Sequence, residues 1–108
     1  MSQLTITERE GVGEVILDLS GDIIFGEANT ALRNGIRNRL KDGKINLTLN
    51  LKDVGYLDSS GIGELISALT AVSREGGRMI LLNPGERIMR LLEISKLTQI
   101  FEIERLDS

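Results

Sequence analysis

The sequence predicts an α/β fold, a mixed β-sheet with helices packed mainly on one face. Three observations carry this expectation. Apolar residues switch between a period of two and spacings of three and four, in the order β-β-β-α-β-α-β-α-β. The three strand–helix–strand successions require parallel neighbours with crossover helices, while an opening hairpin adds one antiparallel pair. Finally, Ile45, Leu47, Leu49 and Leu51 alternate with Asn46, Thr48 and Asn50. A parallel strand covered on both faces reads as an unbroken apolar run, so this alternation predicts one sheet face left uncovered.

Taken in order, Leu4 and Ile6 alternate with threonines in a short first strand. Gly11-Val12-Gly13 turns the chain, and Val15, Leu17 and Leu19 share one face of the returning strand, which predicts a hairpin. No helix follows those glycines and no Gly-Lys-Ser/Thr closes them, so they are not a phosphate loop. Ser20-Gly21 reads as a turn into a third, apolar strand at Asp22–Gly26, whose first residue is expected at the surface. From Glu27 the pattern is helical: Ala28, Ala31, Leu32, Gly35, Ile36 and Leu40 share a face, and Gly43 is a stop signal. The opposite face carries Arg33, Arg37 and Lys41, a stripe that suits water or an acidic partner.

The alternating segment at 45–51 leads through Lys52–Leu57 into Asp58-Ser59-Ser60-Gly61-Ile62-Gly63. Ile62, Leu65, Ile66, Leu69 and Val72 then form one helical stripe that ends at Gly76-Gly77. Met79-Ile80-Leu81-Leu82 is an interior strand. Asn83 and Pro84 read as the cap and first residue of a third helix with Ile88, Leu91 and Leu92 inward. Ile100–Glu104 closes as an edge strand.

The length of 108 residues predicts a single domain over 1–108 with its own core. There is no Cys and no His, which removes disulfides, thiol chemistry, the Ser-His-Asp triad and the usual zinc ligands. A net charge of −3, with one Tyr, two Phe and no Trp, argues against a nucleic-acid partner. No apolar run is long enough to span a bilayer, and the first residues lack a basic head and an apolar stretch. The expectation is a cytosolic protein that inserts in no membrane.

The hexapeptide at 58–63 is the point around which the chain is organised. It is a strand-to-helix turn with a carboxylate and two hydroxyls at the helix N-terminus, where backbone N–H groups lack helical partners. Gly61 and Gly63 are poor helix formers and leave the serines bare to an approaching partner. Four readings are open. Asp58 and Ser59 are helix caps; a serine is a nucleophile; the turn binds an anion; or a serine accepts a phosphoryl group. Serine catalysis lacks both a histidine base and the glycine two residues upstream that a nucleophile elbow needs. Anion binding sets the ligand beside the carboxylate of Asp58, the wrong charge for it.

The stretch Asp58-Ser59-Ser60-Gly61-Ile62-Gly63, with its strand and helix, resembles the phosphorylation motif of STAS domains, in particular bacterial anti-sigma factor antagonists. The resemblance runs from about Leu4 to about Ile103 and implies a STAS-like mixed sheet. It implies that Ser59 is the phosphoacceptor and that Asp58, Ser60, Gly61 and Ile62 belong to the partner-binding surface. Asp22 matches an acidic position of the family's interface, although the second carboxylate often found two residues later is Ile24 here. It further implies an anti-sigma factor antagonist, not an enzyme. The unphosphorylated form binds an anti-sigma factor that is also a serine kinase, and so releases a sigma factor. A serine phosphatase reverses the modification. No cofactor is expected, since ATP and Mg²⁺ belong to the kinase. The rival readings are a STAS subunit of another assembly, such as a lipid-transport ATPase or a stress complex, and a small-anion-binding domain.

Overall fold

Strict alternation runs further along the second strand than the sequence reading carried it. Val15, Leu17, Leu19, Gly21 and Ile23 keep a period of two, and in the structure, a computed structural model that describes residues 4–106, they form one strand. The elements are β1 (Thr5–Glu10), β2 (Val15–Ile23), α1 (Glu27–Lys41), β3 (Asn46–Leu57), α2 (Ser59–Arg74), β4 (Arg78–Leu82), α3 (Glu86–Ile94) and β5 (Glu102–Glu104). They build a five-stranded sheet in the order β1-β2-β3-β4-β5. The β1–β2 pair is antiparallel and every other neighbour is parallel.

The separate third strand expected after Ser20-Gly21 therefore does not exist among the described residues; it is the end of β2. Gly21, at φ 117°, takes a backbone conformation that glycine tolerates, so what reads as a turn is absorbed inside the strand. The pairing moves from Asp18↔Asn50 to Ser20↔Asp53 and from Gly21↔Val54 to Asp22↔Tyr56. At each step β3 advances by one residue more than β2, which makes two bulges on β3. The inward residues of β3 record them. Leu47, Leu49 and Leu51 are spaced by two, whereas Val54 and Leu57 each follow after three.

Leucines and valines on the inward side of the sheet join Leu32 and Ile36 of α1, Leu65 and Val72 of α2, and Ile88 and Leu92 of α3 in one core. The opposite side is largely polar. Arg9 Nε donates to Asp18 Oδ2 at 2.7 Å, Asn50 Nδ2 to Asp18 Oδ1 at 2.8 Å, and Arg78 Nε to Glu102 Oε1 at 2.7 Å. Thr48, buried on that side, donates to Glu14. The expectation of helices mainly on one face thus holds.

The third helix begins later than its sequence signals. Gly85, not Asn83, is its cap; Asn83 sits in the left-handed region at φ 54°, and its side chain accepts from the Leu106 amide at 2.8 Å. The basic stripe of α1 is also only partly exposed to a partner, because Arg33 Nε donates to Glu64 Oε1 of α2 at 2.7 Å, a carboxylate only 7% exposed.

Leu49 lies on the central strand and is fully buried. Leu49→Ala is expected to cost about 3 kcal/mol in urea unfolding, from lost transfer energy and the cavity left behind. Val12→Ser, at a hairpin tip that is 100% exposed, should leave the midpoint within about 0.5 kcal/mol of the original.

Candidate functional site

The carboxyl ends of the parallel strands are where this kind of sheet presents its sites, and β3 there runs directly into α2. Asp58 caps the helix with extended backbone at φ −94°. Its Oδ1 accepts from the Gly61 amide at 2.8 Å and from the Ser60 hydroxyl at 2.6 Å, and its Oδ2 accepts from the Phe25 amide at 3.0 Å. One carboxylate thereby ties the N-terminus of α2 to the segment between β2 and α1. Donors converging on it favour the ionised form, so Asp58 titrates below the usual carboxylate range, held there first by the Ser60 hydroxyl and then by the Phe25 and Gly61 amides.

The two serines meet different surroundings. Ser60 is half-buried; it donates to Asp58, and its oxygen accepts from Asn29 Nδ2 of α1 at 2.7 Å. Ser59, the first residue of α2, is exposed, and no hydrogen bond to another described residue holds its hydroxyl. The Gly61 amide, which an anion at this helix terminus would need, already belongs to Asp58.

The expected docking residues do not all face outward. Ile62 is half-buried and packs against the core. Gly61 is buried, and a methyl group there would lie 2.1 Å from the Ile23 carbonyl oxygen. Its bareness thus serves a close approach of α2 to β2, whereas Gly63 is the exposed glycine, with nothing within 4 Å of a methyl. Asp22 lies inside β2 rather than at the start of a new strand, half-buried and opposite Tyr56. Its Oδ1 sits 3.1 Å from where a side chain on Gly55 would begin.

Three residues of this region escaped the sequence reading. Phe25 is 84% exposed although it bonds Asp58 through its amide, and Tyr56, two residues before Asp58, is 43% exposed. Phe25 stood within an apolar segment that read as strand and Tyr56 in a connection given no element, and periodicity alone does not tell which apolar residue turns out to solvent there. Asn29 was legible in principle. It lies three residues before Leu32 and seven before Ile36, on the buried face of α1.

A model of the STAS domain matches residues 3–106. The chain belongs to the STAS domain family. An anti-sigma-B factor antagonist of Bacillus subtilis is 29% identical over 100 residues, covering 93% of this STAS domain and 90% of that protein. A Thermotoga maritima crystal structure, of a candidate anti-sigma factor antagonist, superposes with a TM-score of 0.82 at 24% identity, over 94% of this chain and 86% of that one. The Bacillus cell fate determinant SpoIIAA, in its phosphorylated form, gives a TM-score of 0.72 at 22% identity, over 100% of this chain and 93% of that one. Among the described residues no cluster of acidic side chains is arranged to hold a metal ion, and no helix is long and apolar enough to cross a membrane.

Two measurements check this geometry. Gly61→Ala is expected to destabilise by about 3 kcal/mol through forced overpacking, whereas Gly63→Ala, in open space inside a helix, should stabilise by about 0.5–1 kcal/mol. The second is a titration. Because the folded pKa of Asp58 is lowered, its bonds contribute stability above the ordinary carboxylate pKa of about 4, and that contribution is lost as pH falls through the folded value. Carbon-13 NMR should place the Asp58 midpoint below that of an unstructured aspartate, and Ser60→Ala should move it up.

Proposed function

We propose that this STAS domain is an anti-sigma factor antagonist that phosphorylation of Ser59 switches off. In the unphosphorylated state it binds an anti-sigma factor in the bacterial cytoplasm and so frees a sigma factor. That anti-sigma factor is also the ATP- and Mg²⁺-dependent kinase for Ser59, and a separate phosphatase restores the hydroxyl. The chain is substrate and binder, with no catalysis of its own. The observation that carries this reading is the contrast at the head of α2: the hydroxyl of Ser60 is held within the protein while that of Ser59 is exposed. The name of the Bacillus subtilis relative supports the antagonist role.

The chemistry of the switch follows from the setting. Phosphate adds about −1.5 to −2 charge at pH 7. At a helix N-terminus the dipole tolerates it, so the fold need not rearrange. Arg33 of α1 is engaged by Glu64 of α2, and Ser59 itself is exposed, so a phosphate there would face solvent. A partner that docks on exposed Phe25 and Tyr56 would have to bury that charge unpaired. Such a burial costs several kcal/mol, and each tenfold loss of affinity needs only about 1.4 kcal/mol. Asp22, Asp58, Ser60, Gly61 and Ile62 contribute by shaping this surface or supporting it from below.

Capture of partners from the source cell, followed by mass spectrometry, tests the reading. Ser59→Ala should retain the anti-sigma factor, resist its kinase activity and change stability by about 0.5 kcal/mol or less. Ser59→Asp should weaken binding at least roughly tenfold. Asp22→Ala should weaken binding while the variant remains folded in a thermal melt. Capture of a transporter ATPase instead would assign the chain to that assembly, and phosphate on Ser59→Ala that disappears only when Ser60 is also changed would make Ser60 the acceptor.

A further inference from the structure

Asn29 is a buried side chain with one end satisfied and the other not. It lies in the first turn of α1, is 8% exposed, and donates from Nδ2 to Ser60 Oγ at 2.7 Å. Its Oδ1 is buried and has no hydrogen-bond partner among the described residues. Turning the amide over does not repair this. Ser60 Oγ carries one proton, and that proton goes to Asp58 Oδ1 at 2.6 Å. A turned amide would set its oxygen against a hydroxyl oxygen with nothing to offer, so the network itself assigns the orientation. Leucine, with the same branched skeleton and the same number of heavy atoms though a larger volume, would avoid burying an unpaired acceptor. What the amide supplies in exchange is a donor on the Ser60 oxygen.

We propose that Asn29 is a positioning residue that makes Ser59, rather than Ser60, the phosphoacceptor; the inference rests on the phosphorylation reading given above. In transfer from ATP the serine Oγ forms the new P–O bond with a lone pair. The bond to the bridging oxygen breaks, ADP leaves with that electron pair, and the hydroxyl proton passes to a base. Asp58 already accepts the Ser60 proton, so by proton removal alone Ser60 would be the better-placed nucleophile. Asn29 cancels that advantage. Its Nδ2 occupies a lone pair of Ser60 Oγ and holds the hydroxyl against α1. Ser59, about 100° further round the helix and exposed, carries no such restraint.

The test is to express the full chain in its source cell as the unmutated protein, Asn29→Leu and Asn29→Asp, and to map phosphoserine by tandem mass spectrometry. Both substitutions remove the donor, one without and one with a polar group, and thermal melts identify a variant that fails to fold. In the unmutated chain the phosphate should be on Ser59. In the folded variants the Ser60-to-Ser59 ratio should rise roughly tenfold, the factor that loss of one hydrogen bond corresponds to. A merely structural role would change total phosphate or the melting temperature without moving that ratio. Phosphate confined to Ser59 in both variants overturns the inference and leaves the Ser59 reading intact. Phosphate on neither serine of the unmutated chain, or on Ser60 alone, overturns both.

Discussion

The backbone of α2 passes so close to the end of β2 that a single methyl at position 61 would lie 2.1 Å from the Ile23 carbonyl oxygen. That approach governs the rest of the site. It sets the helix N-terminus beside the segment leaving β2, within reach of one carboxylate that bonds the Gly61 amide, the Ser60 hydroxyl and the Phe25 amide. Asp58 is therefore more than a helix cap. A cap satisfies donors of its own helix, whereas this one also joins two connections that are 33 residues apart in the chain. The same bond ties down the backbone of Phe25, whose side chain is exposed.

The same carboxylate shapes the electrostatics. With an anion already at the head of α2, part of the positive end of the helix dipole is taken up, and the Gly61 amide that would otherwise receive an anion is occupied. A phosphate on Ser59 would consequently find little inside the protein to draw it in. This favours a switch that works by what it presents to a partner over one that remodels the domain. The open face of the sheet is separate from this logic. There Arg9, Asn50 and Asp18 satisfy one another across β1, β2 and β3, and the Asp18 carboxyl is kept below its usual range chiefly by the Arg9 guanidinium.

The bulges on β3 connect the fold to the site. Each inserts one residue into β3 relative to β2, after Asn50 and again after Val54. Two insertions restore the inward phase, so Leu57 is buried opposite Ile23 and Asp58 emerges at the sheet end. The site's position thus depends on irregularities in a strand whose first half is regular.

Much of this was legible from sequence because it depends on local periodicity and on residue chemistry. The alternation of Ile45 to Leu51 foretold the uncovered sheet face, the stripe from Ile62 to Val72 foretold α2, and Asp58 with two serines marked the helix head. The continuity of β2 was also written in Val15, Leu17, Leu19 and Ile23, but Ser20-Gly21 gave a competing turn signal, and only pairing with β3 showed Gly21 absorbed within the strand. Contacts between segments distant in sequence were not available in that way. Whether Gly61 exposes the serines or lets two backbones meet depends on where Ile23 lies. That the Phe25 amide meets the Asp58 carboxylate, 33 residues further on, is likewise visible only in the packed chain. That the Ser60 oxygen accepts a second bond, beside the one its hydroxyl gives Asp58, depends on Asn29, 31 residues away from Ser60 on another helix. Periodicity assigns each residue a face of its own element; which group stands opposite that face is decided only when the elements pack.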